Sequence, residues 1–381
     1  MNNWALSHLN KYLLQYRYYL LTGIVFVFLN NFFGSYQGPV IRETIDYLEQ
    51  SLPALKQATG AQKDALQSEF GKKVTFLVLE ILGLTILSGV FLYFQRKIII
   101  GTSRRIEYDL KNEIYHHYQQ LPVSFYKRNN TGDIMNRISE DVNQVRNYLG
   151  PAIMYGMNLV AIFIVTVPIM LSVNTELTLY TLIPLPFLVL SIYTVQNIIT
   201  KHSEEIQRSM SSLSSLVQET FSGIRVVKSF GRELSMTDQF DAQSNSYKQK
   251  SIRLAQINAL FFPIMVFLIG ASIIFIVWIG GKQVIENKGV TNGNIAEFIF
   301  YLNKLAWPVT SLGWITVMIK RAEVSQGRIN QFLTEKNTLQ PGKEITHTIK
   351  GAIEFTNVSF TYPDTGITAT KHISFTVEPG Q

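Results

Sequence analysis

Six long blocks of this sequence are almost free of charge, and that constrains the fold more than any other feature. Tyr18 to Ile41, Tyr148 to Val173, Leu177 to Thr200 and Leu254 to Gly281 carry no charged residue. Val74 to Gln95 carries only Glu80, and Ile295 to Ile319 only Glu297 and Lys304. Each block exceeds the ~20 residues that a helix needs to cross about 30 Å of hydrocarbon. Backbone polar groups in lipid are satisfied only within helices or closed barrels. The expectation is a mainly α chain with spans at 18–41, 74–95, 148–173, 177–200, 254–281 and 295–319. The first apolar run is too long for a cleaved signal peptide, and no small-residue cleavage pattern follows Phe33.

Lys and Arg near the span ends set the orientation. Sixteen fall on the side holding Arg96 to Arg146 and Lys201 to Arg253, and five on the side of Arg42, Lys72, Lys73, Lys282 and Lys288. Both ends of the chain and both long loops are therefore expected in the cytoplasm. The net charge of +7 follows from this topology and from attraction to anionic lipid, with no nucleic-acid partner required. With no cysteine in the chain, a disulfide scaffold and a thiolate metal site are excluded, and no metal site is expected.

The two cytoplasmic loops are matched at 52 and 53 residues, and both keep an apolar period of three and four, as in Ile106, Leu110, Ile114, His117 and Leu121. They are expected to be helical hairpins. Breakers mark their tips: Leu121-Pro122 and Asn129 to Asp133 in the first, with Thr131 or Asp133 as helix cap, and Ser229 to Glu233 in the second. A tip with one aromatic, one glycine and a charged pair suits docking into a groove, and a plain solvated turn is the bland alternative. The outer loop Arg42 to Lys73 is expected to form a small helical cap.

Within the spans, ionisable residues mark a pathway, a partner or the interface. Glu297 sits near a span end, where the interface accounts for it. Glu80, Lys304 and the neighbouring Trp307 are the candidate pathway residues. Pro168, Pro184, Pro186, Pro263 and Pro308 are positions where spans can bend.

After Phe332 the helical period ends, so residues 1–332 form one membrane domain and 333–350 a linker around Leu339-Gln340-Pro341-Gly342. From 351 to 381 the period is two, through Ile353, Phe355, Val358, Phe360 and Tyr362, then Ile373, Phe375 and Val377 after the turn Pro363 to Gly366. These are expected to be the first strands of a soluble domain, too short to bury a core alone.

Three ordered segments resemble those of exporter-type ATP-binding cassette (ABC) transporters. Phe125-Tyr126, Thr131-Gly132-Asp133-Ile134, Arg137 and Asp141-Val142 are similar to the family's first cytoplasmic loop, and Glu219 with Gly223 to Glu233 to its second. Ala322 to Phe332, Ile353 to Pro363 and Pro379-Gly380-Gln381 are similar to its passage into a nucleotide-binding domain. The resemblance covers nearly the whole chain. It implies coupling helices at Phe125, Tyr126, Thr131, Gly132 and Asp133 and at Phe230, Gly231, Arg232 and Glu233. It also implies adenine stacking by Tyr362, ATP and Mg2+ as cofactors, and a second half-transporter as partner, expected to be a homodimer. A bacterial inner membrane is the expected location, and a lipid, drug or peptide the expected cargo. No G-x-x-x-x-G-K-[ST] phosphate loop and no catalytic acid occur in these residues, so the chain as written is not expected to hydrolyse ATP. A nucleotide-gated channel or regulatory membrane protein of the same architecture is the alternative.

Overall fold

The computed structural model describes residues 5–335, 351–362 and 365–381; most of the expected linker, with Leu339 to Gly342, and Pro363-Asp364 of the expected turn lie outside the described residues. A turn of 3-10 helix at Ala5–Leu9 leads into α1 (Asn10–Gln15), followed by α2 (Arg17–Ser35) and α3 (Gln37–Gln57). α4 (Ala61–Gln120) is one helix of 60 residues, about 90 Å long at 1.5 Å per residue. The first hairpin returns through α5 (Val123–Arg128), α6 (Thr131–Asn136), α7 (Val142–Asn147) and α8 (Ile153–Val173), with π-helical turns at Arg137–Asp141 and Tyr148–Ala152. Then come α9 (Thr175–Leu182), α10 (Pro184–Ser222), α11 (Ile224–Ser229), α12 (Glu233–Ile285) and α13 (Asn292–Leu333).

In α4 and α12 span and hairpin limb are one continuous helix, and breaks at Leu121-Pro122 and Asn129-Asn130 in the first hairpin and at Gly223 and Phe230-Gly231 in the second shape the tips. Asn130, rather than Thr131 or Asp133, caps α6, its side chain accepting a bond from Gly132 N at 3.0 Å. The expected outer cap is not a separate unit. α3 runs to Gln57 and α4 starts at Ala61, so the helix formers of that loop lengthen the two spans, and Gly60 at φ +63° makes the turn between them.

Five helical stretches are long and apolar enough to cross a membrane: Arg17–Gln57, Gln62–Gln120, Thr131–Val173, Thr175–Ser222 and Glu233–Ile285. α13, which holds the sixth block, is less apolar because Glu297, Asn303, Lys304 and Pro308 interrupt it. Its surroundings explain this. Phe298, Tyr301, Leu302, Leu305 and Val309 of α13 are buried in one cluster with Leu188, Ile192 and Ile276. α4 instead exposes Phe76, Leu79, Leu82, Ile86 and Tyr93, a surface suited to lipid. Protein covers most of α13, leaving Asn303, Trp307 and Trp314 on its open face, so most polar groups there find partners.

At the end of the bundle opposite the hairpins, α3 is tied to the start of α13. Asp46 accepts from Gly293 N at 3.0 Å and from Thr291 Oγ1 at 2.9 Å, and Glu49 accepts from Asn292 Nδ2 at 2.8 Å. A carboxylate at a helix N-terminus also meets the positive end of the helix dipole. A Cβ on Gly293 would lie 2.5 Å from the backbone oxygen of Arg42 and 2.5 Å from Asp46 Oδ1. Gly293→Ala is therefore expected to destabilise the fold by about 1–3 kcal/mol, the usual cost of overpacking. Gly71→Ala, at an exposed position of α4 with open space around it, should gain about 0.5–1 kcal/mol from helix propensity. Thermal unfolding in detergent checks the opposite signs.

At the hairpin end of the bundle, Leu6, Leu9 and Tyr12 bury against Ile114, Tyr118, Ile329 and Phe332. Asn330 donates to the Ala5 carbonyl at 2.8 Å, and Tyr16 donates to Asp109 at 2.9 Å. The N-terminal segment thus clasps α4 and α13 together. Its centre is Glu113, which accepts from Lys11 and Tyr12 and sits 3.4 Å from His8 Nε2. Burial alone would raise the Glu113 pKa, but the bonds from His8, Lys11 and Tyr12 outweigh it and hold it at about 2, below the ordinary 4.5. A depressed carboxylate stabilises the fold above its unfolded pKa and loses that contribution as pH falls through its folded value. The clasp should therefore loosen between about pH 4.5 and about pH 2. Glu113→Gln should loosen it at neutral pH, and limited proteolysis within residues 5–16 measures both.

β1 (Ile353–Thr361) and β2 (Thr368–Val377) pair antiparallel, with Ile353 opposite Val377 and Phe355 opposite Phe375. The two phenyl rings stack at 4.5 Å, the cross-strand contact that the two-residue period anticipates.

Candidate functional site: a polar wall and two hairpin tips

Lys304 lies on α13 facing α2. Its Nζ donates to Ser35 Oγ at 3.1 Å and to the Asn31 carbonyl at 3.3 Å. Gly34 makes the approach possible, since a Cβ there would stand 2.5 Å from the ammonium. Ser35 pairs in turn with Thr166 of α8 at 2.9 Å, and Asn31 donates to Asn158 of α8 at 2.8 Å. Beside them Asn30 accepts from Ser88 of α4 at 2.8 Å. Asn30, Asn31, Ser88, Asn303 and Lys304, from α2, α4 and α13, help to line a cavity of about 350 Å³, and Asn158 and Thr166 of α8 back the α2 side of it. Such groups at membrane depth belong on a water-filled face or against protein.

The other candidates separate. Trp307, one turn beyond Lys304, is more than half exposed and rests on Tyr155 of α8 at 5.5 Å, which also meets Trp314 edge-on at 4.8 Å. Glu80 is not in the Lys304 cavity. It lines a second one, of about 470 Å³, with Arg42, Glu43, Asp46 and Tyr47 towards the end opposite the hairpins. Glu297 is not at the interface as its position in the span implied. Its side chain is fully buried, paired with Arg42 Nη1 at 3.2 Å and accepting from Tyr301 at 2.9 Å. The neutral members of the wall, Asn30, Asn31, Ser35, Asn158 and Thr166, were missed because only charges were counted. Consecutive amides inside an uncharged block were the available signal.

The two tips differ in build. In the first, Phe125 is buried at 3% exposure, 5.9 Å from the Phe332 ring of α13. Tyr126 is partly exposed and its hydroxyl donates to the Tyr118 carbonyl. Tyr118 itself donates to the Ile134 carbonyl at 3.0 Å, and burial pushes its pKa up to about 12. Thr131, Gly132 and Asp133 are exposed, with Asp133 paired to Arg137 at 2.9 Å. Asp141, buried in the π-helical turn, accepts from Ser325 of α13 at 2.7 Å. The first tip is therefore keyed into α13, the same helix that carries Lys304 about 40 Å away. In the second, Phe230 is 76% exposed, Gly231 takes φ +62°, Arg232 is exposed, and Glu233 pairs with Lys228 at 3.1 Å. Tyr362, just past β1, shows about half of its ring, with Phe360 edge-on at 5.1 Å.

Comparison with known proteins agrees with this layout. The chain is similar to the "Multidrug resistance-like ATP-binding protein MdlA" of Escherichia coli (strain K12), at 28% identity over 293 residues, 76% of this chain and 49% of that protein. It is similar to the "ATP-dependent lipid A-core flippase" of Syntrophus aciditrophicus (strain SB), at 27% over 323 residues, 84% of this chain and 53% of that one. The chain spans about half the length of the curated relatives it matches. The family model of the ABC transporter transmembrane region matches residues 20–309, from the first long apolar helix into α13 beyond Lys304. With that match over most of its length and its array of long apolar helices, this chain is a multi-pass membrane protein and belongs to the ABC transporter transmembrane family.

Proposed function

We propose that this chain is the membrane half of an ATP-driven exporter that moves a lipid, drug or peptide by alternating access. The observation that carries the reading is the continuous connection along α13, from the first cytoplasmic tip at Phe332 and Ser325 to the polar wall at Lys304. Force applied at the first tip has a continuous helical path along α13 to the polar wall. In this reading α13 supplies the sixth span, both ends of the chain face the cytoplasm, and the membrane is a bacterial inner membrane. A second half-transporter, in the simplest case another copy, completes the pathway. ATP and Mg2+ act in nucleotide-binding domains joined to the exposed tips. Tyr362 contributes adenine stacking, for which its half-open face is suited. The phosphate and magnesium ligands come from sequence outside these residues, since no phosphate loop occurs among them.

The test is reconstitution of the full gene product in proteoliposomes, with ATPase activity and substrate movement measured together. ATP-dependent accumulation of a lipid, dye or peptide probe is the expected result. Nucleotide-gated ion current without accumulation would establish the channel alternative instead, and a gene product without a phosphate loop would end the proposal.

A further inference from the structure

We infer that the α13 wall is a binding site for amphipathic anions, with the anionic head group at Lys304 and the apolar body against Trp307, Tyr155 and Trp314. This deepens the exporter reading and rests on it for its transport role. The head-group site has one basic group, Lys304, and no carboxylate pairs with it among the described residues. An ammonium has three N–H donors, and Asn31 and Ser35 occupy two, leaving one for a ligand. Asn30 and Asn303 add amide groups around the same cavity, whose volume of about 350 Å³ admits a carboxylate or phosphate with its first carbons. One turn along, exposed Trp307 packs on Tyr155 and Tyr155 on Trp314, a wide aromatic surface beside the charge. Aromatic faces alone would favour cations. The uncompensated Lys304 ammonium reverses that preference by repelling a cationic head within one helical turn.

Two dansyl probes with the same chain test the sign of the head group: 11-(dansylamino)undecanoic acid and its trimethylammonium counterpart, with the phosphate ester as a third arm separating carboxylate from phosphate. The chain in nanodiscs should bind the carboxylate or the phosphate probe at least tenfold more tightly than the cationic one. Lys304→Gln should abolish that preference and Lys304→Arg should keep it. Trp307→Ala should weaken all probes alike. Equal binding of the probes by the wild-type chain, or binding of none, overturns the inference. So does an unchanged preference in Lys304→Gln. If Lys304→Gln does not fold, the wild-type preference together with Lys304→Arg decides. Transport by the full gene product is read separately: transport without charge preference rejects the anion site and leaves the exporter reading, whereas charge-selective binding without transport does the reverse.

Discussion

Arg42→Ala is expected to destabilise the chain by about 3–5 kcal/mol, more than any exposed ion pair would cost. The reason is the position of its partner. Glu297 has no exposed side-chain surface, and without the guanidinium at 3.2 Å its carboxylate is left with neutral donors such as the Tyr301 hydroxyl. Arg42 is itself about one-third exposed, which places the effect towards the lower end of that range. Replacing both partners, as Arg42→Met with Glu297→Gln, should recover most of the loss, because a buried pair removed whole leaves no orphaned charge. The double-mutant cycle is read by thermal unfolding in detergent. Additive losses in the double variant would show that the pair is not coupled. The pair links α3 to α13 beside the Asp46 contacts, so its rupture should also free the end of the bundle opposite the hairpins.

Much of the architecture was legible because lipid and helix geometry impose simple rules. Charge-free blocks marked the long apolar helices, and Leu121-Pro122 and Phe230-Gly231 marked the tips, since Pro and Gly act locally. What was not legible depends on contacts distant in sequence. Nothing around His8, Lys11 and Tyr12 announces Glu113, about a hundred residues away, so the N-terminal clasp was invisible. Glu297 was assigned to the interface from its place in the span, whereas a helix enclosed by protein can bury a carboxylate if an arginine reaches it. The reduced apolarity of α13 has the same origin. Lys304 stood out as a charge, but the site around it is made of neutral amides and hydroxyls that a count of charges passes over. Glu80, grouped with Lys304 on the same criterion, proved to belong to another cavity.

The two tips should respond oppositely to the same substitution. Phe125→Ala is expected to cost about 3–5 kcal/mol of stability, the usual range for deleting a buried phenyl group. Its ring sits at 3% exposure among Tyr126, Phe332 and the cluster of Leu121, Ile134 and Phe332 that holds the first tip to α13. Sequence resemblance groups Phe125 with Phe230 as coupling residues; Phe125 is buried where the first hairpin meets Phe332 of α13, whereas Phe230 is open to solvent. Phe230 is 76% exposed at a turn where Gly231 adopts φ +62°, so Phe230→Ala should leave the melting temperature nearly unchanged. Its effect should appear in coupling: in the reconstituted full gene product, ATP hydrolysis should persist while probe transport falls at least tenfold. A stability loss in Phe230→Ala as large as that in Phe125→Ala would remove the distinction. Unaltered transport in Phe230→Ala would mean that force does not enter through this aromatic, leaving the first tip and its seat on Phe332 as the route from nucleotide domain to Lys304.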